Sequence, residues 1–121
     1  MSQQVLSREP IKTLIVVKSQ FEGIHAWDKC PHEDVSFLRY PHRHIFHVVM
    51  KVEVFHDDRQ LEFIQVKRKL NQFLKTLDIN LGSTSCEMLA KQIGGFFIPI
   101  FPVHMVSVSE DDENGAEVYF G

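Results

Sequence analysis

Two histidines stand two apart in the segment Pro41-His42-Arg43-His44-Ile45-Phe46, and a third, His25, closes the run Phe21-Glu22-Gly23-Ile24-His25. Side chains on a strand repeat every two residues, so His42 and His44 share one face if this segment is extended. A hairpin partner carrying His25 then brings a third imidazole beside them. Three neutral imidazoles on a rigid sheet form a ligand set for zinc with one position left open, the pattern of catalytic rather than structural zinc. Taken singly, each of these residues reads as an ordinary strand histidine; the chemistry lies in the set. His47 is assigned to the imidazole side of the same strand, one register beyond, as a candidate proton shuttle. Cys30 is a candidate thiolate, since the positive charge of a nearby metal lowers a thiol pKa. Arg43 carries a planar fork suited to a substrate carboxylate or phosphate.

These residues need a scaffold, and the apolar pattern predicts one. Residues 11–24 are rich in β-branched side chains and read as a strand. Residues 26–41 hold two prolines and no clean period; a loop that long in a small domain is usually functional or mobile. From 44 to 56 strand character returns. Phe46, Val48, Met50, Val52 and Val54 alternate with a more polar set and should face the core. Steps of three and four among Leu61, Ile64, Leu70 and Leu74 predict a helix over about 60–76. Residues 78–83 break it at Gly82. Ser83 or Thr84 is the expected cap of a second helix, with Glu87 completing a capping box after Thr84. Gly94-Gly95 and Pro99 are expected to end that helix near Ile93. Residues 103–109 form a further strand, 111–115 an Asn-Gly hairpin turn, and 116–120 a last short strand. The order is β-β-α-α-β-β.

The bulk properties bound the rest. At 121 residues the chain makes one domain, read here as a loose N-terminus over 1–10 and a single unit over 11–121. An apolar share of 44% suffices for a core without disulfides. The net charge of −3 and the lack of a basic stripe argue against nucleic acid as a partner. Cys30 and Cys86 show no CxxC spacing, and reduced thiols in a cytoplasm are the expected state. No apolar run reaches the roughly 18 residues of a membrane span, and no signal-peptide core is seen. A cytoplasmic protein without a membrane partner is the expectation.

The order of elements and motifs resembles the 6-pyruvoyltetrahydropterin synthase and 6-carboxytetrahydropterin synthase family of the T-fold proteins, over Phe21 to Tyr119. Phe21-Glu22-Gly23-Ile24-His25 is similar to the family's F-x-A-A-H. His42-Arg43-His44-Ile45-Phe46 is similar to its H-G-H-x-Y/F, with Arg43 in place of glycine. Leu61-Glu62-Phe63-Ile64-Gln65-Val66-Lys67 is similar to V-I-D-F-x-x-L-K, Cys86-Glu87-Met88-Leu89-Ala90 to the start of the second helix, and Val106-Ser107-Val108-Ser109-Glu110 to V-x-V-x-E-T. Five motifs in order are more specific than any one of them. The resemblance implies an α+β T-fold: a four-stranded antiparallel sheet with two helices on one face, oligomerising into a barrel. It implies zinc on His25, His42 and His44. It also implies that Glu110 anchors the N–H edge of a pterin or purine ring, a task suited to a charged acceptor of two parallel hydrogen bonds.

Two departures bear on the chemistry. The family's cysteine lies a few residues before H-G-H; here that place falls at Phe37, Leu38 or Arg39, and Cys30 is the one upstream cysteine. The family's L-D-H appears as Leu77-Asp78-Ile79, without its histidine. A zinc-dependent lyase of the pterin or purine type would therefore need a rebuilt base, drawn from Cys30, His47 or Asp78. The alternative is a zinc-containing T-fold that binds a purine, pterin or nucleotide without turnover. A lone sheet leaves open edges, and assembly covers them, so a homo-oligomer, a hexamer by the resemblance, is expected.

Overall fold

The computed structural model describes residues 8–121. Most of the segment 1–10 assigned as loose lies outside the described residues. Five strands and two helices follow in order: β1 Thr13–His25, β2 His42–Val54, α1 Phe63–Leu74, β3 Asn80–Gly82, α2 Cys86–Phe97, β4 Val103–Glu110 and β5 Gly115–Tyr119, with a 3-10 helix, Glu33–Arg39, between β1 and β2. The strands make one sheet in the order β3-β1-β2-β4-β5. Long antiparallel pairing joins β1 to β2, from Thr13 opposite Val54 to His25 opposite His42.

The sheet thus has five strands rather than the expected four. β3 arises within the segment read as a break. It runs parallel to the end of β1, held by Ile24 N–H donating to the Ile79 carbonyl at 2.7 Å and Ala26 N–H donating to the Gly82 carbonyl at 2.9 Å. Three residues are too few for a period of two to be visible in sequence. Gly82 does sit at a positive φ of 61°, where glycine has no steric cost.

The alternation in β2 works as expected. Phe46, Val48, Met50 and Val52 are buried, with Val17 of β1 and Val106 and Val108 of β4 on the same face. Val66, Leu70 and Leu74 of α1, and Leu89, Ala90, Ile93 and Phe97 of α2, complete the core from above. Both helices therefore cover one face. Each of these side chains larger than alanine contributes about 1.5–3 kcal/mol by leaving water.

Helix ends depart from the sequence reading in instructive ways. α1 starts at Phe63 because Glu62 is extended and its carboxylate accepts from the Ile64 and Gln65 N–H groups, capping otherwise unpaired donors. α2 is capped by Ser85, which accepts from Met88 N–H, rather than by Ser83 or Thr84. It runs through Gly94-Gly95 to Phe97. Gly94 does not end the helix; it makes room for Phe120, whose ring would stand 2.2 Å from a Cβ there. The β4–β5 connection also differs: its left-handed residues are Asp111 and Asp112, with φ of 54° and 58°. Gly115 instead begins β5, where a Cβ would lie 2.2 Å from the Val108 carbonyl oxygen.

The two kinds of glycine make opposite expectations. Gly115→Ala meets backbone that cannot rotate away and should lower stability by about 1–3 kcal/mol. Gly95→Ala meets nothing within 4 Å and should raise stability by about 0.5–1 kcal/mol through helix propensity. Urea unfolding of the two variants checks both signs.

Candidate metal centre and its cleft

The β1–β2 register delivers the histidines. His25 ends β1 directly opposite His42, which starts β2, and His44 stands opposite Gly23. One ring nitrogen from each of the three imidazoles lies within 4.8 Å of the others. Their ring centroids are 4.6 to 5.3 Å apart. Phe46, next on the same face, floors the cluster at 5.2 Å from His25 and 5.8 Å from His44. Gly23 is required for this packing, since a Cβ there would meet Leu81 at 2.5 Å and the Phe46 ring at 2.9 Å.

What makes the cluster a ligand set is the state of the other nitrogens. His25 Nδ1 lies 2.9 Å from the Thr84 carbonyl oxygen, His42 Nδ1 2.8 Å from the Tyr40 carbonyl oxygen, and His44 Nδ1 2.7 Å from Asp111 Oδ2. Carbonyls and carboxylates only accept, so the partners assign the proton to Nδ1 in each ring. In the neutral ring each Nε2 then keeps its lone pair. His25 Nε2 and His44 Nε2 are buried without a hydrogen-bond partner. Metal-bound histidines are oriented in this way, through the nitrogen that does not ligate. The three-histidine cluster is thus capable of coordinating a metal ion.

Asp111 is the least expected member. Its carboxylate also accepts from Ile45 N–H at 3.0 Å, and its own N–H donates to the Ile45 carbonyl at 2.8 Å. The hydrogen bond from His44, and then that from Ile45, hold its pKa below the ordinary carboxylate value. It reads in sequence as one of three acidic residues in a turn. The signal that could have marked it is its place directly after the strand that ends in Glu110. The Thr84 and Tyr40 carbonyls carry no sequence signal, because every residue has one.

The other candidates divide. Glu110 reaches the cluster, with Oε2 3.0 Å from His25 Nε2 and Oε1 3.6 Å from His44 Nε2. Arg43 lies on the opposite face, paired through Nε with Glu22 at 2.6 Å. His47 belongs to that face too. Strand alternation groups His42, His44 and Phe46 on one side and Arg43, Ile45 and His47 on the other, which corrects the assignment of His47 to the imidazole side. Cys30 is buried in the 26–41 segment, its Sγ 3.8 Å from the His32 carbonyl oxygen. Within that segment Arg39 donates to the Cys30 carbonyl and to Glu33, each at 2.9 Å. Asp78 accepts from Asn80 N–H at 2.9 Å and fixes the turn into β3.

A cleft of about 410 Å³ opens beside the cluster, lined by His25, Trp27, His42, Cys86 and Glu110 among others. Cys30, His47 and Asp78 do not line it. Cys86 does, but burial first, and then the charges of Glu110 and Glu87, push its thiol up to about 12.

Fold and site together define an α+β protein, its sheet covered on one face by two helices, with a three-histidine cluster capable of coordinating a metal ion at the sheet's end. No family model and no curated protein sequence matches the chain. Solved structures do. The 6-pyruvoyl tetrahydropterin synthase of Caenorhabditis elegans aligns with a TM-score of 0.71 over 96% of this chain and 100% of that one, at 12% identity. An uncharacterised protein of Wolinella succinogenes aligns with a TM-score of 0.60 over 91% and 99%, at 13% identity. At such identities the likeness establishes a T-fold-like architecture and nothing finer. Among the described residues no helix is long and apolar enough to cross a membrane.

The orienting role of Asp111 is open to test. Asp111→Ala should weaken metal binding by about 10–100-fold while leaving the fold intact. Competition against a chromophoric chelator, with circular dichroism as the control, measures this.

Proposed function

We propose that this protein holds zinc on His25, His42 and His44 and binds a purine-, pterin- or nucleotide-type ligand in the adjoining cleft without the family's lyase turnover. The observation that carries the reading is the gathering of one ring nitrogen from each of the three histidines within 4.8 Å of the others, while every Nδ1 has an acceptor of its own. Zinc suits an imidazole set, and a zinc ion there supplies a Lewis acid for a ligand oxygen. The cleft's volume suits a small molecule. Glu110 offers a carboxylate edge to ring N–H donors, and Trp27 a flat apolar wall.

The absence of turnover rests on placement. General acid–base catalysis needs a proton acceptor within about 2.6–3.2 Å of its proton, directly or through one water. Cys30 is turned into its own loop, His47 faces the other side of the sheet, and Asp78 holds a turn. The fold likeness to a 6-pyruvoyl tetrahydropterin synthase favours the lyase as a second reading, with one of these three as base. Substitution of Cys30, His47 or Asp78 would then abolish turnover; in a binder it leaves ligand affinity nearly unchanged.

The proposed assembly is a homo-oligomer, a hexamer, built by pairing the exposed sheet edges at β3 and β5. Open edges present unpaired backbone groups that another copy can satisfy. The two unbonded thiols suit a reducing compartment, and the cytoplasm is the proposed location.

Elemental analysis of protein purified without an affinity tag is the direct test. About one zinc per chain, lost in His42→Ala, is the expected outcome, followed by saturable binding of pterins or purine nucleotides. Wild-type protein that carries no metal and takes up none would remove this reading. Light scattering during size-exclusion chromatography checks the hexamer.

A further inference from the structure

Glu110 makes a contact that hydrogen bonding does not explain. Its Oε2 lies 3.0 Å from His25 Nε2, yet that nitrogen has no hydrogen-bond partner. The Thr84 carbonyl takes the ring proton on the far side, so the near side presents a lone pair to a carboxylate oxygen. His44 repeats the pattern: Asp111 takes its Nδ1 proton, and Nε2 lies 3.6 Å from Glu110 Oε1. Two lone pairs facing one carboxylate repel unless a proton or a metal ion sits among them, and a proton on either Nε2 would find no aligned acceptor. The ion pairs of Glu110 among the described residues are with His25 and His44, so no arginine or lysine supplies that charge.

The spacing fits a shared ion. Metal–ligand bonds of about 2.0–2.1 Å in a tetrahedral site place neighbouring ligand atoms about 3.3 Å apart. The two Glu110 distances, 3.0 and 3.6 Å, fall on either side of that edge length. The backbone holds the carboxylate there: Glu110 pairs with Phe46 across β2–β4, and its N–H donates to the Asn114 carbonyl at 2.8 Å.

We infer that Glu110 is the fourth ligand of the metal held by His25, His42 and His44, closing the ion to outside donors in the ligand-free protein. The inference rests on the zinc reading above and deepens it. With both oxygens turned to the cluster, the carboxylate does not present its open edge to a ring's paired N–H donors. A ligand that captures Glu110 thereby opens one metal position for its own oxygen. The ligand class is thus a planar ring with two adjacent N–H donors and an oxygen donor within reach of the ion.

The test is cobalt substitution in the full chain, with wild type, His42→Ala and Glu110→Gln. Wild type is expected to bind one Co²⁺ with an intense four-coordinate visible spectrum that azide leaves unchanged. Glu110→Gln, checked for folding by circular dichroism, should bind Co²⁺ about 10–100-fold more weakly, on the scale seen when a site loses a supporting group, and azide should then shift its spectrum. Equal Co²⁺ affinity and an equal spectrum in Glu110→Gln overturn the assignment. So does an azide shift in wild type, a readout that needs no variant. Binding that His42→Ala abolishes and Glu110→Gln leaves unchanged sinks the fourth ligand alone; no Co²⁺ binding by wild type sinks the zinc reading with it.

Discussion

The register between β1 and β2 is the constraint on which the rest depends. It sets His25 against His42 and Gly23 against His44, and it puts Phe46 beneath both rings. A slip of one residue would turn every side chain of one strand to the other face, scattering the imidazoles and exposing the row from Phe46 to Val54. The residues that specify the core therefore also specify the site. Packing of Val48, Met50 and Val52 under the two helices is what keeps the histidines aligned at the strand's far end.

That coupling explains what could be read from the sequence. The β2 alternation and the helix periodicity are long, regular signals that place the core together with His42 and His44, and the hairpin pairing of β1 brings His25 to them. The His47 assignment fails by the same rule that succeeds for its neighbours: an odd position in a strand whose even positions carry the ligands faces away. β3 and the cap at Ser85 escape because they depend on tertiary partners. β3 exists only because the end of β1 offers it backbone groups, and α2 continues past its glycines because Phe120 packs on Gly94.

The site shows the same division. Ligating side chains announce themselves by type and spacing. The groups that set their tautomers do not, because two are backbone carbonyls and the third, Asp111, hides among acidic neighbours. Its left-handed backbone turns the carboxylate back toward β2, where His44 and Ile45 donate to it. Glu110 and Asp111 are adjacent in sequence but meet opposite sides of one imidazole ring: Asp111 the Nδ1 proton, Glu110 the Nε2 lone pair.

These groups come from distant parts of the chain. His25 reaches the Thr84 carbonyl across 59 positions, and His44 reaches Asp111 across 67. The far end of the sheet packs around Phe46, with Phe21 stacked on it and Leu81 alongside. An ion at this point would act as a non-covalent cross-link joining β1, β2, the entrance to α2 and the β4–β5 turn. Its removal would loosen one corner of the molecule while leaving the helix-covered half folded, so that metal loss appears as local fraying and a new protease-sensitive site rather than as global unfolding.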